Sequence, residues 1–117
     1  MFLFVLQLKI LETATMNFKK ACQCDSLEEL RGEIDKIDYE IIQLFSERMK
    51  YVEAVVDFKS DEESIIASER KERVLKERAA WAQRNGLDPK VFRKIYSILI
   101  ESNIQHEMML LNGQKNR

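Results

Sequence analysis

Between Leu27 and Phe58 the apolar residues fall at alternating intervals of three and four: Leu27, Leu30, Ile34, Ile37, Ile41 and Leu44, then Tyr51, Val55 and Phe58. Carried from Ser26 to Lys59, about nine turns at 3.6 residues per turn, this rhythm specifies one long amphipathic helix with a buried stripe. The rest of the chain must be arranged around it. Where the stripe calls for another apolar residue, between Leu44 and Tyr51, it has Arg48. A neighbouring column reads Arg31, Asp38, Phe45, Val52 and Lys59. A guanidinium at a packed seam is costly unless an anion meets it. Arg31, Arg48 and Lys59 therefore mark an anion site.

The remaining pattern is helical as well. Pro89 is the only proline, and Gly32, Gly86 and Gly113 are the only glycines, so breakers are scarce and an all-α fold follows. Ser26-Leu27-Glu28-Glu29 reads as a capping box that starts the long helix. Ser60 to Glu63 fits a second box and predicts a short helical turn in the connecting loop, with Ile65 and Ile66 as its apolar pin. Ser68 is the expected cap of a second helix through Val74, Leu75, Ala79 and Ala82, which stops at Asn85-Gly86. Asp88 as cap and Pro89 as first helical residue open a third helix running to about Leu111. Its inner face reads Ile100, Ile104, Glu107 and Leu111. An ionisable residue again interrupts an apolar stripe, and a carboxyl group that loses solvation there has its pKa raised unless a cation sits beside it.

A single domain of this length with nineteen basic and twenty acidic residues has no basic block suited to a phosphate backbone, which argues against nucleic acid as a partner. Phe2 to Leu8 is apolar but lacks the flanks of an export signal and is far shorter than the roughly 20 residues of a membrane span. Residues 1–15 read as an upstream extension or a mispredicted start. The expected organisation is an extension over 1–25, one domain over 26–112 and a tail over 113–117, in a cytoplasmic protein with no membrane partner. Cys22 and Cys24 are too close for a comfortable disulfide and too few for zinc; they read as free thiols.

Reach decides the assembly. Arg31 and Arg48 are separated by about 25 Å of helix at 1.5 Å per residue, more than a small metabolite spans. If both grip one compact ligand, Arg31 must come from a second chain. Arg48 and Lys59, about 16 Å apart at the backbone, can converge by leaning their long side chains together. The long helix is also poorly covered by two shorter ones. An intertwined homodimer with two equivalent sites is the expectation.

The run Leu30-Arg31-Gly32-Glu33-Ile34-Asp35-Lys36-Ile37-Asp38, with Glu47-Arg48-Met49, Phe58-Lys59, Glu69-Arg70 and Asn85-Gly86-Leu87-Asp88, resembles the all-α chorismate mutase family. Met49-Lys50-Tyr51-Val52, Glu77-Arg78-Ala79-Ala80-Trp81-Ala82 and the length of the loop between Lys59 and Arg70 are most similar to its isochorismate-pyruvate lyase branch, which serves salicylate and siderophore synthesis. The resemblance covers roughly residues 24–112. It implies a three-helix protomer in an intertwined dimer that binds a small dicarboxylate, chorismate or isochorismate. Arg48 and the partner's Arg31 would hold the two carboxylates, and Lys59 would donate to a carboxylate and the ether oxygen. Arg70 would add a cationic contact, and Ile104 would shape the apolar wall.

The chemistry so implied is pericyclic and needs no nucleophile, metal or cofactor. Holding a reactive conformer and stabilising charge on the ether oxygen are enough. Where many family members place Gln as a donor to that oxygen, this chain has Glu107, which donates only when protonated. Some mutases carry Asp and Glu where this chain has Ala67 and Lys71, to meet a substrate hydroxyl. Their absence, shared with the lyase, argues against efficient mutase activity. The reading is a lyase acting on isochorismate with side mutase activity. A chorismate mutase is the alternative, and a non-catalytic helical dimerisation module is the third.

Overall fold

The computed structural model describes residues 18–115, so the expectations for residues 1–15 lie outside the described residues. All regular structure among the described residues is helical. Helix α1 spans Leu27–Val55. Its start follows the capping rule: Ser26 Oγ accepts the Glu29 N–H at 3.1 Å. The Glu29 carboxylate reaches back one residue further than the usual box, to the Asp25 N–H at 2.8 Å. That bond, with Lys19 beside it, holds the Glu29 carboxyl below its ordinary pKa.

The long helix stops being α-helical at Val55, short of the expected Lys59. Val56–Phe58 tighten into a 3-10 turn, and the Lys59 N–H bonds the Val56 carbonyl at 3.1 Å. Such a turn satisfies end carbonyls that an α-helix would leave open. The short turn expected next is helix α2, Glu62–Ile66, but its cap is Asp61 rather than Ser60. Asp61 Oδ1 accepts the Ser64 N–H at 2.8 Å, and the Ser64 hydroxyl donates back to the Asp61 carbonyl at 2.8 Å. A charged carboxylate is the stronger cap at the positive end of a helix.

Ala67 closes α2 in the left-handed region at φ 37° and is at once the residue before α3, Ser68–Arg84. Ser68 is therefore the first helical residue and not the cap, and Ala67 offers no capping side chain. A one-residue joint between two helices demands this turn of the backbone, which costs a non-glycine residue about 1–2 kcal/mol. The other end of α3 follows expectation. Gly86 adopts φ 76°, with its N–H on Gln83 and the Leu87 N–H on Ala82, a glycine-closed helix end. Asp88 Oδ1 then accepts the Lys90 N–H at 2.9 Å and Pro89 begins α4, Pro89–Lys115. This helix continues past the expected end at Leu111, and the Gln114 amide in its last turn donates to Asp57 at 3.2 Å.

Residues up to Glu47 and residues from Arg48 form two compact units. In the first, Lys19 bonds Glu29 through its ammonium and Glu33 through its backbone N–H, both at 3.1 Å. In the second, α3 and α4 pack as a helical hairpin, with α2 and the 3-10 turn on α4. Val56, Ile65, Ile104 and Leu111 form a buried cluster joined by Ile100, Met108 and Leu110. The inner face of α4 is the one its spacing indicated.

The α1 stripe behaves differently. No residue of α1 is buried in this chain; Leu44 is 68% exposed and Tyr51 73%. Apolar periodicity records which face wants cover and not what covers it.

Candidate active site

The second unit contains a cavity of about 210 Å³. Five of the six residues singled out by sequence line it: Arg48 from α1, Lys59 after the 3-10 turn, Arg70 from α3, and Ile104 and Glu107 from α4. Residues far apart in the chain are thus gathered by the helix hairpin and the turn packed on it. Arg31 belongs to the first unit and does not line this cavity.

Three further polar residues line the same walls without having been picked out as site residues: Lys71, Arg78 and Asn103. Asn103 is only 6% exposed. It stands four residues before Glu107 and three after Ile100, so its spacing already put it on the inner face of α4. The Arg78 guanidinium lies 4.5 Å from the Trp81 ring centroid and 5.9 Å from that of Tyr96. Two aromatic faces fix its plane by cation–π attraction. Nothing in the spacing of Arg78 on α3 distinguished it from a surface arginine.

Arg48, Lys59, Arg70, Lys71 and Arg78 against Glu107 make five cations to one carboxyl around this space. Lys59 is half-buried, and its ammonium donates to the Ser64 carbonyl at 2.6 Å. That carbonyl is positioned by the Asp61 cap, so the sequence Asp61-Glu62-Glu63-Ser64 orients the lysine through α2. The ammonium has three protons, and two remain for a ligand. Glu107 is 9% exposed. Burial pushes its carboxyl above the ordinary range, outweighing the pull of Lys59 and then His106 in the other direction. His106 itself sits 3.1 Å from Glu53, linking α4 to the end of α1. The arrangement suits an anion with more than one carboxylate, beside a carboxyl group whose proton is held more tightly than usual.

Residues 30–108 match the chorismate mutase type II family, and the chain belongs to that family. The matched stretch contains every candidate residue from Arg31 to Glu107. The chain is 39% identical over 85 residues to a Pseudomonas aeruginosa protein named isochorismate pyruvate lyase, an alignment covering 73% of this chain and 84% of that one.

The Glu107 shift has a consequence for stability. Its folded-state pKa is raised, so the folded protein holds the proton more tightly than the unfolded chain. The associated stability is present at acid pH and is lost as pH rises through the raised value. Glu107→Gln has no proton to lose. In urea unfolding across pH, the stability difference between Glu107→Gln and wild type is expected to move in favour of the variant as pH rises through that range, then level off. A difference independent of pH would show that Glu107 ionises as freely in the folded state as in the unfolded one.

Proposed function

We propose that this chain cleaves isochorismate to salicylate and pyruvate, with rearrangement of chorismate to prephenate as a side activity. The observation that carries the reading is a cavity where Arg48, Lys59 and Arg70 face a buried, protonation-prone Glu107, in a chain resembling a lyase of that name. In the elimination the ether carbon–oxygen bond breaks and one ring hydrogen moves to the methylene carbon of the enolpyruvyl group. The ring becomes aromatic and the side chain leaves as pyruvate. Atoms balance within the substrate, so the protein has to orient it and stabilise charge on the departing oxygen.

Arg48 takes one substrate carboxylate by a bidentate fork, and Arg70 reinforces the positive wall. Lys59, oriented by Ser64, donates to the ether oxygen where charge develops. Protonated Glu107 donates there too, and Ile104 packs against the ring. The domain over residues 26–112 carries this chemistry, and a cytoplasmic setting suits it; no helix among the described residues is long and apolar enough to cross a membrane. The mutase reading draws on the family membership, but Ala67 and Lys71 offer no carboxylate to a ring hydroxyl.

The second carboxylate requires Arg31, about 25 Å along the helix from Arg48, which is met if the site is completed by the partner's Arg31 in an intertwined homodimer. The uncovered α1 stripe supports that assembly, since apolar faces of this extent are usually interfaces.

Incubated separately with isochorismate and chorismate, the protein is expected to release fluorescent salicylate from the first much faster than it forms prephenate from the second. Lys59→Ala should lower kcat by about 10²–10³, the usual effect of removing one oxyanion donor, with a modest change in KM. A large rise in KM with kcat intact would make Lys59 a ground-state binding residue.

For Glu107, kcat should fall as pH rises through its pKa in the complex, because only the acid donates. Glu107→Gln should retain activity at the higher pH. A flat wild-type profile unchanged by the substitution would leave Lys59 as the sole donor.

Refolding Arg31→Ala together with Arg48→Ala should restore activity to about a quarter of the sites, the statistical share in which one intact arginine of each kind meets across the dimer. Heterodimers that form and stay inactive would rule out the shared site.

A further inference from the structure

Among the cations of the cavity, Lys71 is held in a way that suggests a changing partner. It lines the cavity, yet its ammonium donates to Glu101 on α4 at 3.5 Å, and Glu101 is outside the lining. The side chains of the pair are 33% and 57% exposed. A long, solvated ion pair of this kind is weak, typically within a few-fold of neutral in its effect on an equilibrium. Lys59, by contrast, is bound to a carbonyl at 2.6 Å, and Arg78 is stacked on two rings. Lys71 has a flexible four-carbon stem and a partner that costs little to leave.

We infer that Lys71 is an exchangeable rim cation: paired with Glu101 in this structure, it moves onto a carboxylate of the bound ligand, so that Glu101 competes with the ligand for it. This rests on the proposed dicarboxylate substrate for its biological meaning but not for its test. The exchange positions the anion and is not a step in bond breaking. It also gives a physical reason for a lysine at this place in a cavity already rich in positive charge, since a cation neutralised at rest does not add to the self-repulsion of the empty site.

The test is a double-mutant cycle on the full-length protein, read by calorimetric binding of a non-reacting dicarboxylate, isophthalate, and in parallel by KM and kcat for isochorismate. Glu101→Gln is expected to tighten isophthalate binding and lower KM by two- to five-fold, with kcat little changed. Lys71→Met should weaken binding and raise KM. In the Lys71→Met background, Glu101→Gln should have no further effect, because the competition it relieves is gone. A simple field effect of the Glu101 charge would give the same tightening in both backgrounds, and that result overturns the proposal. No effect of either substitution on binding, or no isophthalate binding by the wild-type protein, overturns it as well. Isophthalate binding that follows the cycle in a protein that turns over neither isochorismate nor chorismate would support the exchange while removing the proposed reaction.

Discussion

Charge of one sign gathered around a small space is the constraint on which the rest of this structure depends. Five cationic side chains converge on a cavity that contributes one carboxyl group of its own. Such an array is self-repulsive, and its charge suits a multivalent anion. The repulsion among the cations is relieved locally. Lys59 is bonded to a carbonyl, Arg78 is stacked on aromatic rings and paired at 3.4 Å with Glu77, and Lys71 is paired with Glu101. Each of these contacts is made by secondary structure that exists for reasons readable in the sequence.

The legibility of the molecule follows from which interactions are local. Helix starts at Ser26 and Asp88, and the stop at Gly86, depend on a few neighbouring residues, and they stand where their motifs put them. The inner face of α4 was also plain, because Ile104, Glu107 and Leu111 answer one period. What could not be read was competition between near-equivalent local choices. The Ser60–Glu63 box puts the α2 cap at Ser60, and Asp61 prevails through its charge and a reciprocal bond with Ser64. Ala67 carried no signal for a left-handed conformation, since the turn there is imposed by two helices meeting with no room for a loop. In the sequence Lys71 reads only as a departure from the mutase pattern, because its place on the cavity wall depends on how α3 lies on α4.

The apolar stripe of α1 shows a different limit. Its period specified the helix correctly, but the exposure of Leu44 and Tyr51 shows that periodicity reports a face and not its partner. In the proposed dimer the same helix would have two tasks. Its apolar face would be covered by the second copy, and that contact would bring the partner's Arg31 to a cavity that already contains Arg48 and Lys59. Assembly and substrate binding would then be coupled through one element, because a dianion bridging the two chains stabilises the associated state by mass action.

Glu107 puts an unusual demand on this site. A glutamine would donate to the ether oxygen at any pH and would cost nothing to keep neutral. A glutamic acid must be kept protonated to do the same, and here burial raises its pKa against the opposing influence of Lys59 and His106. In the proposed reaction the balance would shift as substrate enters. Two carboxylates would offset the positive field and water would leave the cavity, and both changes would favour the protonated acid. The proposed donor would then be strengthened by its own ligand, and a carboxyl group placed among cations would serve where an amide is the simpler choice.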